Sequence, residues 1–233
     1  MKINHSQNSK RTLAFTLVEM LIVISIIAVL AAMLFPAFAA VKKQMTIKKA
    51  KAELKAVALL IDTYKSKKGY YPPDHVLTVA PGGVDPIVNS LYFELSGVTN
   101  TPLGFQTFDQ AAIITAAACQ TTFGQGGILN CSKVSGEDGG QRADKFITQL
   151  KPNQYATLPT PAYPLGIRIL TCSVEWPVNN GEVITGLPRA NPWRYVSSNP
   201  TNNHDSYDLW VDIVIGDKTN RVNNWNEKPE IVP

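Results

Sequence analysis

The sequence predicts an α+β protein in which a long N-terminal helix, hydrophobic and then amphipathic, packs on a C-terminal antiparallel β-sheet. Three observations predict this class. An uninterrupted apolar run lies near the N-terminus, and a stripe of apolar residues at helical spacing follows it. Alternating, strand-like segments occupy the last part of the chain. Between stripe and strands lies an insert rich in loops and short helical patterns.

The apolar run from Met20 to Val41 contains 22 residues without a charge. As a helix it would extend about 33 Å, enough to cross a bilayer core of roughly 30 Å. The basic residues before it favour a cytoplasmic N-terminus, although Lys42 and Lys43 immediately after it oppose that orientation. A secretory signal peptide is the alternative, because Ala37-Phe38-Ala39 is an acceptable cleavage site. The run is longer than such a peptide needs.

Glu19 is the residue that neither a signal peptide nor a plain membrane anchor explains. It lies at the start of the apolar segment, where an ionised carboxylate in a bilayer costs about 2.5 kcal/mol or more. Glu19 therefore requires either a charged partner or a function of its own.

The stretch "LAFTLVEMLIVISIIAVLAAMLFPAF" resembles the N-terminus of type IV pilins and type II secretion pseudopilins. In these families a prepilin peptidase removes a short basic leader on the cytoplasmic side of the membrane. The resemblance implies cleavage between Ala14 and Phe15 and N-methylation of Phe15. Pro36 would stand where many members carry a helix-kinking proline. The family usually has Gly before the cleavage site, where this chain has Ala14.

Glu19 and Pro36 are the residues to which we assign a part in assembly. A carboxylate is favoured near the positive end of a helix, and Glu19 can pair with an α-amino group, its own or that of the preceding subunit. Such pairing would set the register of a polymer, whereas the alternative is a glutamate that reaches the lipid headgroups. Pro36 lacks an N–H and leaves the carbonyl of Ala32 unpaired, so we expect local melting at residues 31–36 in a filament.

Residues 42–68 predict an amphipathic helix that ends at Gly69. Its lysines form a solvated face, or they attract anionic headgroups or the acidic heads of neighbouring subunits. No aromatic residues alternate with them, which argues against nucleic acid as a partner. The apolar stripe, which we expect to pack on the sheet, consists of Ile47, Ala50, Leu54, Val57, Ile61 and Tyr64.

Three short helical patterns lie in the insert, which covers residues 75–180. One has apolar residues at helical spacing, and a second begins with Thr107 and Gln110, which resemble a capping box before "AAIITAAA". The first pattern comprises Val88, Leu91, Tyr92 and Leu95, and the third comprises Ala143, Phe146, Ile147 and Leu150.

The strand signals lie at residues 165–225, in "LGIRILTCSVEW", "NPWRYV" and "SYDLWVDIVIG". Here the chain also resembles the major pseudopilins of the type II secretion G class in the order and spacing of short motifs. These motifs are Gly69-Tyr70-Tyr71-Pro72, Asn191-Pro192-Trp193, Tyr207-Asp208-Leu209, Gly216-Asp217 and Asn224-Trp225.

No cofactor is expected, with the single exception of calcium. The G-class resemblance implies a Ca²⁺ in the loop after the long strand, held here by Asp217 and Asn220 with help from Asn223 and Asn224. Hard cations need about six oxygen ligands, and the carboxylates of the family are replaced here by amides. No arrangement of His, Ser and acidic residues predicts catalysis, so we do not expect an enzyme.

Of the three cysteines, Cys119 and Cys131 are the nearer pair in sequence and would be the candidate disulfide in an exported head. The alternative is that all three are small buried residues.

The sequence therefore predicts a pilin-like subunit that forms a homopolymer with other pilin-like subunits in a type II secretion pseudopilus. Its other partners would be prepilin peptidase, an inner-membrane assembly platform and the lipid bilayer. It would cross the bacterial inner membrane once, with a cytoplasmic N-terminus and a periplasmic head, before entering a filament. The predicted segments are a cleaved leader at 1–14, a transmembrane and filament-core helix at 15–41, a stalk helix at 42–68 and a head at 69–233.

Two alternatives stay open. The first is a type IV pilus subunit, major or minor, for adhesion, motility or DNA uptake. The second, from another class, is a membrane-anchored extracytoplasmic carbohydrate-binding module. Its sugar surface would use the four tryptophans, Trp176, Trp193, Trp210 and Trp225.

Overall fold

The computed structural model of the chain describes residues 15–76, 83–132 and 142–232. Contacts between residues divide the chain into two compact units, Met1–Gln44 and Met45–Pro233. The helices are α1 (Leu17–Lys68), α2 (Leu91–Ser96) and α3 (Ala116–Phe123). The strands are β1 (His75–Val76), β2 (Val84–Asp85), β3 (Val98–Thr101), β4 (Gly104–Thr107), β5 (Ile113–Ile114), β6 (Cys131–Ser132), β7 (Tyr155–Thr157), β8 (Arg168–Leu170), β9 (Arg194–Val196), β10 (Asp208–Ile215), β11 (Lys218–Asn223) and β12 (Glu230–Val232).

The predicted α+β class and its long N-terminal helix are confirmed. The part of α1 that belongs to the first unit, residues 17–44, is helical throughout, including the backbone at Pro36. In the described parts of the chain, no helix combines the length and the hydropathy required to cross a bilayer.

The second part of α1, residues 45–68, packs on the core of the second unit along the predicted stripe. Ala50, Leu54, Ile61 and Tyr64 are buried and the other two stripe positions are partly buried, which confirms the stripe. The helix ends at Lys68, and Gly69 follows it with a left-handed φ of 86° and an N–H that donates to the Lys65 carbonyl at 2.9 Å.

The C-terminal sheet is antiparallel, with the strand order β12-β11-β10-β9. Strands β10 and β11 form a hairpin whose two-residue turn contains Gly216 at a φ of 66°. Along β10 the predicted alternation is confirmed on the core side, where Leu209, Val211 and Ile213 are buried in the same core as α1.

On the opposite side of β10 two acids, Asp208 and Asp212, are buried as well. Asp208 accepts hydrogen bonds from the backbone N–H groups of residues 201–203, each at 2.9 Å. Asp212 forms two hydrogen bonds with Arg221, at 2.8 and 3.1 Å, and lies 3.8 Å from Arg194. These acids tolerate burial because each is paired with several donors.

The predicted sheet boundaries at residues 165–225 are wrong in part. The segment 165–176 contributes only β8, which pairs with β7 in a separate two-stranded sheet. An isolated bridge between Thr171 and Pro192 connects that segment to the region before β9. The four-stranded sheet instead extends beyond residue 225 to include β12.

The insert contains a second four-stranded sheet that the sequence did not reveal. Its order is β5-β4-β3-β6, with β3 and β6 parallel and the other pairs antiparallel. A short antiparallel pair, β1 and β2, also lies in this region. Strands of two to four residues are too short to show alternation, so their formation depends on contacts between segments distant in sequence.

Of the three predicted short helices, one is confirmed, one is displaced and one is wrong. Helix α2 forms at the first pattern. The proposed capping box fails because Thr107 ends β4 and Gln110 lies in a turn at a φ of 56°, while α3 begins later, capped by Thr115. Residues 142–150 form no helix, since the N–H groups of Phe146 and Ile147 both donate to the Leu95 carbonyl.

Candidate functional site at the start of helix α1

The first turn of α1 is closed by a reciprocal cap between Thr16 and Glu19. Thr16 precedes the first helical residue, and its backbone N–H and hydroxyl both donate to Glu19 Oε2 at 2.8 Å. In return, the Glu19 N–H donates to Thr16 Oγ1 at 3.2 Å. This is the geometry of a capping box, in which a threonine and a glutamate three residues later satisfy each other's backbone donors.

The cap gives Glu19 a role that sequence reasoning missed. The signal was present, since a Thr-x-x-Glu spacing before an apolar run is itself a capping-box pattern. Only Oε2 of the carboxylate is used by Thr16. Oε1 has no hydrogen-bond partner among the described residues.

Apolar side chains surround α1 immediately after the cap. They occupy every face of the helix rather than one stripe, and they are exposed. Ser25 interrupts them, but its hydroxyl donates to the Ile22 carbonyl at 2.7 Å and so is satisfied within the helix. A helix that is apolar all round is typical of segments that become buried in protein or lipid. The exposed residues include Phe15, Leu17, Val18, Met20, Leu21, Ile22, Val23, Ile24, Ile26, Ile27, Val29 and Leu30.

The predicted processing site lies at the edge of the described chain. Phe15 is described and is 73% exposed, whereas Ala14 lies outside the described residues. Pro36 has a helical backbone, and its expected effect on a filament stays a prediction. Of the processing and assembly residues, Phe15 therefore lies just before α1, Glu19 lies in its first turn and Pro36 lies farther along the helix.

The residues predicted to hold calcium do not form a cage of free oxygens. Asp217 is exposed in the β10–β11 turn, and Asn220, in β11, donates its amide to the Lys218 carbonyl at 3.2 Å. Asn223 Oδ1 accepts two backbone N–H groups, at 3.2 and 2.7 Å, and Asn224 Oδ1 accepts the Leu209 N–H at 3.0 Å. Among the described residues, no group of three or more His, Cys, Asp or Glu side chains could hold a metal. The Oδ1 atoms of Asn223 and Asn224 are therefore already used, and calcium at Asp217 and Asn220 stays a prediction.

The predicted disulfide between Cys119 and Cys131 is not formed, and the structure has no disulfide among the three cysteines, all within the described residues. Cys119 lies on α3 and is buried in the core, which raises the pKa of its thiol to about 12. Cys131, in β6, donates its Sγ–H to the Ser132 carbonyl at 3.4 Å. Cys172 is also buried, and burial raises its pKa to about 12.

The four tryptophans do not form one surface. Trp193 is 2% exposed and belongs to the core, which excludes it from a sugar-binding face. Trp210 and Trp225 form an edge-to-face pair with ring centres 5.8 Å apart, and Arg221 lies over the Trp210 ring. Trp176 donates its backbone N–H to the Arg189 carbonyl at 3.0 Å.

Three of the short sequence motifs, at residues 69–72, 207–209 and 224–225, contact the C-terminal sheet or one another in the structure, although they are far apart in sequence. Tyr195 and Ser197 donate their hydroxyls to the Pro72 carbonyl, at 2.7 and 2.9 Å. The Tyr71 ring contacts the Tyr207 ring at 5.1 Å. Asn224 donates to the Tyr207 carbonyl at 2.9 Å. These residues therefore connect the chain after α1 to the C-terminal sheet, which is a structural task rather than a chemical one.

Comparison with known proteins identifies one segment. Residues 9–35 match the family model of the prokaryotic N-terminal methylation motif, the prepilin-type signal. The match supports a type IV pilin-like protein processed by prepilin peptidase, a structural class rather than an enzymatic one. No curated protein and no solved structure matches the chain.

Proposed function

We propose that the chain is a structural subunit of a pilin-like filament. Prepilin peptidase cuts between Ala14 and Phe15, Phe15 is N-methylated, and residues 15–41 hold the subunit in the inner membrane before assembly. The observation that carries the proposal is the methylation motif on a helix whose exposed side chains are apolar on every face. No cofactor and no catalytic step are needed for this function.

Assembly exchanges one apolar environment for another. Exposed apolar side chains stabilise a helix bundle or a lipid anchor equally well, because lipid tails are as apolar as leucine. Transfer of the N-terminal helices from the bilayer to the centre of a filament therefore changes the free energy of burial little. The subunits held in the membrane would therefore form a reversible reservoir for filament growth. The inner-membrane assembly platform would be the partner that transfers them to the filament.

Glu19 gives the transfer its specificity. Its Oε2 caps its own helix, and Oε1 is the oxygen that remains for the methylated α-amino group of a neighbouring Phe15. An uncompensated charge among apolar helices is costly, and a counter-charge lowers that cost. The pairing therefore selects one axial register between subunits.

Among filaments, we favour a type II secretion pseudopilus involved in protein export. Its support is the order of the G-class motifs and their meeting point between the end of α1 and the C-terminal sheet. A type IV pilus subunit for adhesion, motility or DNA uptake is the second candidate. Either way, the chain would have a cytoplasmic N-terminus and a periplasmic head before assembly.

The mature N-terminus tests the proposal directly. We expect mass spectrometry of the chain from cells with an active prepilin peptidase to show a protein that begins at methylated Phe15. The same chain from cells without the peptidase should keep its leader. As a matched pair, Ala14→Gly should be processed at least as fully as the wild type, whereas Ala14→Leu should accumulate as precursor. An intact leader in both strains, or a start at Ala40, would contradict the proposal.

A further inference from the structure

A groove in the second unit lies between α1 and the loops that flank β10 and β11. Its volume is about 610 Å³, within the roughly 300–1,000 Å³ typical of small-molecule sites. One wall is formed by α1, and the other by the chain before β10 and the β11–β12 loop. We call it the Trp225 groove. The α1 wall consists of Lys51, Leu54, Lys55, Ala58 and Asp62, and the opposite wall of Asn203, Ser206, Tyr207 and residues 223–227.

The aromatic part of the Trp225 groove is held in place by its surroundings. Trp225 is half-buried, its ring is fixed against Trp210, and its Nε1–H donates to Glu230 Oε1 at 3.1 Å. Tyr207 donates its hydroxyl to the Ala58 carbonyl and to Asp62, at 3.3 and 3.2 Å. A ring whose position is already fixed loses little conformational freedom when a ligand packs against it.

The amides of the groove are also held in fixed positions. Asn203 donates to the Tyr207 carbonyl at 2.9 Å and to Asn224 Oδ1 at 3.1 Å. Asn223 uses its Oδ1 for two backbone N–H groups, which leaves its buried Nδ2 without an acceptor among the described residues. Trp210, the residue paired across the sheet from Asn223, also has a buried Nε1 without an acceptor in the described chain. Both donors are buried and lie out of reach of a ligand in the groove. The polar side chains that line the groove also include Lys55, Asp62 and Ser206.

The charges of the groove balance. Lys51 and Lys55 are offset by Asp62 and Glu227, and Lys51 is already bonded to the Glu227 carbonyl. A net field of either sign would favour an ion of the opposite charge. A balanced wall favours a neutral ligand that carries many donors and acceptors of its own.

We propose that the Trp225 groove binds a neutral saccharide, of the size of a di- or trisaccharide. The apolar face of a sugar ring would pack on Trp225, while its hydroxyl groups exchange hydrogen bonds with Asp62, Lys55 and Ser206 of the lining. A hydroxyl suits this lining because it donates and accepts at the same atom. The site lies wholly in the second unit and goes beyond the proposed filament function, on which it does not depend.

The test uses the full chain in a zwitterionic detergent, because sugar-headed detergents would compete for the groove. Maltotriose, the N-acetylglucosamine trimer and globotriose serve as probes in saturation-transfer NMR, which reports on the ligand. We expect at least one of them to bind. Trp225→Ala should weaken that binding about tenfold, Trp225→Phe should keep most of it, and the matched control Trp176→Ala should leave it unchanged.

Near-ultraviolet circular dichroism checks that each variant is folded. If Trp225→Ala does not fold, the comparison of Trp225→Phe with the wild type still tests the proposal. Absence of binding by all three trisaccharides at about 10 mM, which corresponds to about −2.7 kcal/mol, would overturn the proposal. Binding that Trp225→Ala leaves unchanged would also overturn it, as would binding of the tripeptide Gly-Ser-Gly in place of the sugars. Filament formation is measured separately, so its failure would not be confused with failure here.

Discussion

Glu94 is the most deeply buried acid that the structure describes, and it connects α1 to the insert. Its carboxylate accepts the Tyr64 hydroxyl at 2.8 Å and the backbone N–H groups of Leu129 and Asn130 at 2.7 and 2.9 Å. Burial raises the pKa of Glu94 above its ordinary value of 4.5, although these hydrogen bonds act in the opposite direction. Glu94 therefore holds α1 in position and makes the stability of the fold dependent on pH.

The raised pKa predicts how stability changes with pH. Between pH 4.5 and the higher pKa of the folded state, the folded protein binds the Glu94 proton more tightly than the unfolded chain does. The contribution of Glu94 to the free energy of unfolding is then largest below 4.5 and falls as the pH rises through the folded pKa. Glu94→Gln removes this titration, so we expect a flatter pH profile and a loss of about 1–3 kcal/mol, because its NH₂ group faces a backbone N–H.

Urea unfolding of the full chain in detergent, at several values between about pH 4 and pH 8, measures both effects. The matched control is Tyr64→Phe, which removes one hydrogen bond but keeps the titrating carboxylate. It should lose about 1–2 kcal/mol and still become less stable as the pH rises, because the titrating carboxylate with its raised pKa remains. A slope that is the same in Glu94→Gln and in the wild type would contradict the assignment.

At the scale of the element, the first turn of α1 combines two separable features, a helix cap and a charge. Thr16 and Glu19 form the cap, while the charge of Glu19 is the property proposed to pair with a neighbouring subunit. Glutamine preserves a capping box but has no charge. Substitutions at these two positions can therefore separate the stability of the helix end from assembly.

We expect Glu19→Gln and Glu19→Leu to reduce the number of filaments in electron micrographs to the same degree, about tenfold or more, because both remove the charge. Thr16→Val removes only the side-chain cap, which contributes about 1 kcal/mol to the helix end. It should therefore leave filament number near that of the wild type. Filaments of normal length and abundance from Glu19→Gln would show that the cap, and not the charge, is what assembly requires.

Element prediction succeeded where one segment carries its own pattern. The stripe on α1 and the alternation of β10 are each visible within a single window. The second sheet was not predicted because its strands, β3 to β6, are short and pair across loops. Strands β3 and β6 also pair in parallel, which requires a longer connection. The helix expected at residues 143–150 was wrong for a related reason, since its backbone donors bind the distant Leu95 carbonyl.

At the scale of the whole molecule, the two units differ in what they bury. The described apolar side chains of residues 15–30 are exposed, whereas the second unit has a continuous core that includes residues 50–64 of α1. Large exposed apolar surfaces drive association. The tendency to assemble should therefore reside in the first unit and the folding stability in the second.

We expect a protein comprising residues 45–233 to be folded and monomeric in water, because its core is complete without the preceding residues. Light scattering should give the mass of one copy, and the near-ultraviolet circular dichroism should match that of the full chain. The full chain, as the comparison, should need detergent to stay monomeric. Oligomers or loss of the near-ultraviolet signal in the shorter protein would contradict this division.

The sequence by itself determined the motif at the N-terminus, the long helix with its stripe and the strand β10, since each depends on residues within a few turns of one another. Only the tertiary structure decided which acids are buried, how the insert pairs its strands and where the Trp225 groove lies. Glu94 illustrates the reason, because two of its partners lie 35 and 36 residues away in sequence. Contacts of that separation depend on how the whole chain packs, and no local pattern of residues specifies them.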